Sequence, residues 1–217
     1  MPIGANRAGI VSQVGNAIPD SVLDNFEADL YDNQSLTLSD RYGGDLSNFT
    51  RQQTTVYEGS YALSDDGAAT NYVAIMDTDR TAQQGDTISV RALTDSGSGW
   101  SGFLFGTQGE SGSAGNYGVL IDWGGFLSIR KDMGADGGGE SGTLLQETSW
   151  SPNSSTWYQF IIDWQTDDTI ALTIADESGA QVASISATDA TYTSGGTGYW
   201  YNGDNWGGGG WDLAEVL

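Results

Sequence analysis

Carboxylates and aromatic rings are the side chains with which this chain could do chemistry. Its 217 residues include 29 Asp and Glu, eight Trp and ten Tyr, but no Cys and no His. Without Cys and His the chain cannot form disulfides, thiol nucleophiles, imidazole bases or zinc sites built on those residues. The chemistry that is left is proton transfer between carboxylates, binding of hard cations and contact with sugars.

One acidic pattern has the spacing of the paired carboxylates that hydrolyse glycosidic bonds. Glu27, Asp29 and Asp32 follow the first predicted strand in the arrangement E-x-D-x-x-D. Retaining hydrolysis needs two carboxylates about 5 Å apart on one face, whereas a regular strand points Asp32 to the face opposite Glu27 and Asp29. We therefore expect an acidic loop here, no catalytic residues, and a protein that is not an enzyme.

Aromatic rings beside polar turn residues indicate a sugar site. Sugars stack their C–H faces on Trp and Tyr, while carboxylates and amides bind the hydroxyl groups. We predict that the rim of such a cleft is formed by Trp123, Trp200, Tyr201, Asp204 and Trp206. The alternative is that these rings belong to an aromatic core or to a contact between subunits, because Trp and Tyr are enriched at interfaces for the same amphipathic reason.

A glycine-rich acidic segment, residues 132–140, is similar to a calcium-binding loop. Asp132 and Asp136 occupy the first and fifth positions, and Glu140 occupies the ninth. The third position is a glycine and the twelfth is Thr143, so no Glu closes the loop as the pattern requires. We keep Asp132, Asp136 and Glu140 as a candidate metal site, with a solvated acidic loop as the alternative.

The balance of charge excludes one class of partner and indicates an environment. Seven Lys and Arg against 29 acids give a net charge of -22, which repels the phosphates of nucleic acids. Such a domain also repels itself, and salt at about 1 M removes most of that cost by shortening the Debye length to about 3 Å. The composition resembles that of proteins from extremely halophilic archaea and their viruses, and we expect a high-salt environment. An acidic bacterial surface protein is the alternative.

Short strands between turns must position these side chains. Ile88, Val90 and Ala92 alternate with polar residues, which is the period of a strand with one buried face. Asp-Gly and Ser-Gly turns separate many such segments, among them predicted strands near residues 49–57 and 199–201. No segment has helical periodicity or the long apolar run of a membrane span. The pattern predicts an all-β sandwich without membrane insertion.

The first 22 residues differ from the rest of the chain. Residues 1–22 have scattered apolar side chains and lack the continuous apolar centre of a secretory signal. Because they cannot form a core alone, we predict an extended arm that is either disordered or docked on a partner. Residues 23–217 then form one domain, since a β-sandwich of this length can hold a single core.

Four parts of this domain carry a family resemblance. In order, they are 24–27 (DNFE) with 56–63 (VYEGSYAL), 156–164 (TWYQFIIDW), 168–179, and 198–216. They resemble the strands of concanavalin-A-like and laminin-G-like jelly rolls. The resemblance implies two stacked antiparallel sheets, glycan binding as the commonest activity, and a structural calcium ion that links the first strands to the last. On this chain it points to Glu27, the carbonyl of Gly59, and Asp212 as the calcium ligands.

These features lead to one hypothesis about function and two alternatives. An arm in place of an export signal fits a protein that is assembled inside a cell and released by lysis. We therefore expect a structural protein on the virion surface of a halophilic archaeal tailed virus: a capsid turret, a decoration protein or a tail-fibre component. It would bind other virion proteins through its arm, form a closed homo-oligomer and adhere to host surface glycans. The alternatives are a secreted, extracellular glycan-binding module and a glycoside hydrolase or lyase.

Overall fold

The chain is built of strands joined by turns and loops. The computed structural model describes residues 22–24, 26, 38–40, 42–44, 46, 49–53, 56–65, 73–94, 100–111, 114–122, 125–134, 142–202 and 210–217. In these residues the strands are β1 (Val22–Asp24), β2 (Gly43–Gly44), β3 (Phe49–Gln52), β4 (Ala62–Asp65), β5 (Val73–Gln83), β6 (Thr87–Thr94), β7 (Trp100–Thr107), β8 (Tyr117–Asp122), β9 (Phe126–Lys131), β10 (Thr143–Ser149), β11 (Thr156–Trp164), β12 (Thr169–Ala175), β13 (Gln181–Thr188), β14 (Ser194–Asn202) and β15 (Gly210–Val216). A 3-10 turn covers Leu38–Asp40.

The strands form two antiparallel sheets. Sheet A has the order β13-β12-β11-β6-β15-β4-β3, with β1 also paired to β15, and sheet B has the order β10-β9-β8-β7-β14-β5-β2. Within the described residues there is no helix with the length and hydrophobicity of a membrane span. The predicted fold class, an all-β jelly-roll sandwich of two antiparallel sheets, is confirmed.

Alternating side chains of the two sheets fill the space between them. On β11 the buried residues Phe160, Ile162 and Trp164 alternate with half-buried ones, as expected for a strand with one face in the core. From sheet B, Tyr199 meets the ring of Trp211 on sheet A at a centroid distance of 5.8 Å. Each fully buried large apolar side chain contributes about 1.5–3 kcal/mol to folding, so this layer holds the sheets face to face.

The other face of sheet B carries a second, smaller hydrophobic cluster. The cluster consists of Leu104, Leu120, Met133 and Trp200, all buried. Met133, just after β9, packs over Gly118, where an added Cβ would lie 3.0 Å from the Met133 Cγ. The indole N–H of Trp200 donates to the carbonyl of Gly134 at 3.2 Å. The chain that leaves β9 therefore covers this part of sheet B.

The predicted arm meets the described part of the chain at one residue. Val22 belongs to β1 and pairs with Glu215 of β15, so this last residue of the predicted arm is in sheet A. Residues 1–21 lie outside the described residues.

Candidate functional site

The structure corrects the predicted sugar-binding rim at two positions. Trp200 is 0% exposed and Tyr201 is 2% exposed. Trp200 belongs to the cluster under Met133, and Tyr201 points into the core between the sheets. Both residues are in β14, where the sequence predicts a strand near residues 199–201, but neither ring presents an open face on which a sugar could stack. Trp123, Asp204 and Trp206 lie outside the described residues.

The structure places Asp212, one residue of the calcium site implied by the family resemblance, against the loop that contains a second one, Gly59. Loop 56–61, which contains Gly59, contacts Asp212 on β15. One carboxylate oxygen of Asp212, Oδ2, accepts the backbone N–H groups of Tyr57 at 2.8 Å and Glu58 at 3.0 Å. The other, Oδ1, accepts the N–H of Leu213 at 2.8 Å. The expected link between the loop and the last strand is present, and backbone amides make it.

The calcium site implied by the resemblance stays a prediction, because the described contacts of Asp212 are with backbone N–H groups and one of its three residues is not described. Calcium takes six to eight oxygen ligands, whereas N–H groups direct their positive ends at both Asp212 oxygens. Among the residues that the structure describes, no three acidic side chains gather in one place. Glu27 lies outside the described residues.

The second predicted metal site is described at only one of its residues. Asp132 lies just after β9 in a left-handed conformation, with φ 57°. Its Oδ1 accepts a hydrogen bond from the hydroxyl of Tyr192, so this carboxylate is engaged by a protein donor. Asp136 and Glu140 lie outside the described residues.

A cluster of titratable groups joins the ends of β8 and β9 to the loop after β13. The ammonium of Lys131 lies 2.7 Å from Asp189 Oδ2 and 3.0 Å from Thr191 Oγ1. The hydroxyl of Tyr117 donates to Asp189 Oδ1 at 2.8 Å and accepts the N–H of Tyr192 at 3.1 Å. We name these five residues, Tyr117, Lys131, Asp189, Thr191 and Tyr192, the Asp189 cluster.

The pKa values in the Asp189 cluster oppose acid-base catalysis near neutral pH. Burial raises the pKa of Tyr117 to about 12, and the Asp189 carboxylate adds to that rise. Burial acts to raise the pKa of Asp189 too, but hydrogen bonds from Lys131 and Thr191 outweigh it and hold that pKa below its ordinary value of 3.8. A tyrosine base needs a lowered pKa. The cluster is therefore arranged to fix a loop rather than to move protons.

An aromatic and polar surface lies on the outer face of sheet A. Gln159 of β11, Arg91 of β6 and Asp212 of β15 are direct cross-strand neighbours and therefore point to the same side of the sheet. Loop 56–61, held by Asp212, places the ring of Tyr57 beside this row, with the Arg91 Cζ 4.4 Å from the ring centroid. We name Tyr57, Arg91, Trp157 and Gln159 the Tyr57 platform.

Two side chains of the platform, Tyr57 and Gln159, are held in place by neighbouring residues. Trp157 is 9% exposed and Tyr57 is 38% exposed. Their rings meet edge to face with centroids 5.6 Å apart, a favoured aromatic geometry, so Trp157 supports a ring that faces solvent. Gln159 donates from Nε2 to Ser89 Oγ at 2.9 Å, which holds its amide in place on the half-buried surface.

Arg91 forms no salt bridge within the described part of the chain. Its guanidinium makes no ion pair or hydrogen bond with the described residues, and its contact is with the Tyr57 ring. The nearest carboxylate across the sheet, Asp212, has both oxygens on backbone N–H groups. Since arginine stays charged and has five N–H donors in a planar fork, the platform combines cationic donors, an amide and an exposed ring.

The sequence interpretation missed this platform. The sequence pattern predicts that Tyr57 ends a strand over residues 49–57 and that Arg91 is a polar position of an alternating strand. The signal that could have found the site is Arg91 itself, one of seven basic residues in the chain, on the exposed face of a strand.

Comparisons with known proteins identify the fold. The sequence matches no family model and no curated protein. Solved structures match it well in shape: the carbohydrate-binding module CBM66 from Bacillus subtilis has a TM-score of 0.52 at 14% identity and covers 81% of this chain and 91% of its own. The exoplasmic/lumenal domain of VIP36 in its Ca2+/Man-bound form has a TM-score of 0.54 at 12% identity and covers 92% of this chain and 90% of its own. The PL-14 alginate lyase from Aplysia kurodai has a TM-score of 0.56 at 11% identity and covers 93% of this chain and 99% of its own.

The shared fold is the lectin-like jelly roll that the sequence resemblance implied. It occurs both in carbohydrate-binding proteins and in a lyase. At identities of this size the likeness shows the fold alone, and function has to be argued from the site.

Proposed function

We propose that this domain is a non-catalytic glycan-binding module and that the Tyr57 platform is its binding site. The observation that carries the proposal is the exposed Tyr57 ring, fixed by Trp157 and flanked by the polar groups of Arg91 and Gln159. Sugar sites need this combination, because a ring takes the C–H face of a sugar and polar groups orient its hydroxyls. The lectin-like fold supports the same function.

The alternative of a hydrolase or lyase has less support. Within the described residues, carboxylates, tyrosines and a lysine meet in the Asp189 cluster. There the pKa of each tyrosine is raised by burial and neighbouring carboxylates, which disfavours the phenolate that a base would require. Similarity of fold to an alginate lyase does not supply catalytic residues.

The proposal also includes the high-salt environment of the protein and its role on a virion surface. Its net charge of -22 is the support for a high-salt environment. The virion-surface role, the partner-binding arm and the closed homo-oligomer stay predictions from the sequence. A chain lacking residues 1–21 tests them together, since it should still bind glycans but should no longer join its assembly.

Binding to an array of polysaccharides and oligosaccharides, compared between two alanine variants, tests the glycan proposal. Tyr57→Ala should lose at least tenfold in affinity. The scale comes from a related contact, a nucleic-acid base stacked on one aromatic ring, which contributes roughly 1–3 kcal/mol. Phe126→Ala is the matched control, because Phe126 is also an aromatic residue that is 38% exposed, but it lies on sheet B. Equal loss in both variants, or no glycan binding by the wild type, would overturn the proposal.

A further inference from the structure

We propose that the Tyr57 platform selects anionic glycans, with the Arg91 guanidinium binding a carboxylate or sulfate group of the sugar. This inference rests on the proposed function and names the class of ligand for the same site. It starts from the unusual position of one cation in a chain with a net charge of -22.

The first step is the environment of Arg91. Among the residues described, it is half-buried and forms no ion pair, although the chain has 29 acids. Asp212 and Glu215 lie on the same strand nearby, but Asp212 is hydrogen-bonded to the backbone of loop 56–61. The carboxylate directly across the strand from Arg91 thus binds backbone N–H groups and forms no ion pair with the guanidinium, whose donors are left for another anion.

The second step is geometry. A guanidinium placed over an aromatic ring is held by cation–π attraction and keeps its N–H donors in its own plane. This attraction acts within about 6 Å of the ring centroid, and the Arg91 Cζ lies 4.4 Å from the centroid of Tyr57. A ligand group at the edge of the guanidinium would accept two parallel hydrogen bonds, the arrangement that arginine makes with planar carboxylates.

The third step is the match to a sugar. An acidic sugar has one anionic group on a ring that otherwise carries hydroxyls and an apolar face. Arg91 lies over one face of the Tyr57 ring, so the apolar face of the sugar packs on the part of this 38% exposed residue that Arg91 leaves open. The Gln159 amide, on the strand next to Arg91 and directly opposite it, binds a hydroxyl. Among the residues that the structure describes, Arg91 is the single cation of the platform, so the site fits one anionic group and not a run of phosphates, which needs several Lys and Arg.

Matched ligand pairs test the inference. Binding of oligogalacturonate is compared with its methyl ester, and binding of dextran sulfate with dextran, in NaCl at about 1 M, where the Debye length is about 3 Å and general repulsion is screened. The wild type should prefer the charged member of at least one pair by tenfold or more. The carboxylate pair and the sulfate pair identify which anion is bound.

Two variants assign the preference to Arg91. Arg91→Gln should remove the preference and leave the fold intact. Arg80→Gln is the control, because Arg80 is a half-buried arginine on β5 of sheet B and its loss changes the net charge by the same amount. Arg91→Lys should keep only part of the preference, because lysine is a point charge without the planar fork.

The outcomes separate this inference from the proposed function. If neutral and charged members bind equally and Tyr57→Ala weakens both, the inference is overturned and glycan binding at the platform stands. A preference that survives in Arg91→Gln would also overturn it. If no ligand of either pair and no glycan of the array binds, both proposals fail.

Discussion

Replacing Asp212 by alanine should loosen the loop that carries Tyr57 and lower the stability of the whole domain. The Asp212 carboxylate accepts N–H groups of Tyr57 and Glu58, which are 155 and 154 positions away in the sequence. A hydrogen bond to a charged group contributes about 1.5–3 kcal/mol, and water can replace part of each bond because the loop is exposed. We therefore expect Asp212→Ala to cost about 3 kcal/mol.

That cost is measurable by thermal unfolding. For a domain of this size about 1 kcal/mol shifts Tm by roughly 2–4 °C, so Asp212→Ala should lower Tm by about 6–12 °C. The Tm of Asp212→Asn should lie between those of the wild type and Asp212→Ala, because the Asn amide retains one acceptor oxygen. Glu215→Ala is the control: Glu215 is on the same strand, is half-buried and carries the same charge. If the two alanine variants shift Tm equally, the carboxylate of Asp212 does not hold the loop.

Two further predictions concern pH and metal ions. Asp189→Asn should lose about 1–2 kcal/mol at neutral pH, because its carboxylate accepts several donors. Folding lowers the pKa of Asp189, so its contribution to stability is present above the unfolded pKa near 3.8 and is lost as the pH falls below that value. The difference in unfolding free energy between Asp189→Asn and the wild type, measured by urea unfolding, should therefore close in that pH range. A difference that stays constant would contradict the reasoning. Calcium and magnesium at equal concentration should raise Tm equally, since both screen the net charge; a larger rise with calcium would support the site predicted from Glu27, Gly59 and Asp212.

The fold could be predicted from the sequence because its signals are local. The alternation of Ile88, Val90 and Ala92 reports a strand with one buried face, and that strand is β6. The segment 49–57 shows where such signals end. Its first part is β3, but Tyr57 lies in a loop because its N–H bonds to Asp212, a contact across most of the chain that no local pattern reveals.

The residues of the Tyr57 platform could not be predicted for a similar reason. Alternation places Trp200 and Leu104 on the outer face of sheet B, but it does not show that Met133 covers that face. The sequence pattern therefore predicts that an aromatic residue beside turn residues is exposed, whereas Trp200 is buried. The reverse holds for Tyr57, whose exposure depends on the docking of loop 56–61 on sheet A.

Chemical-shift mapping of the backbone amides with a bound oligosaccharide tests the central claim most directly. The ligand would be whichever glycan the array identifies, titrated into the full chain. We predict that the largest shifts fall on Tyr57, Glu58, Arg91 and Gln159, on the outer face of sheet A. Shifts concentrated on β7, β8 and β14 of sheet B, with those four amides unchanged, would contradict the account.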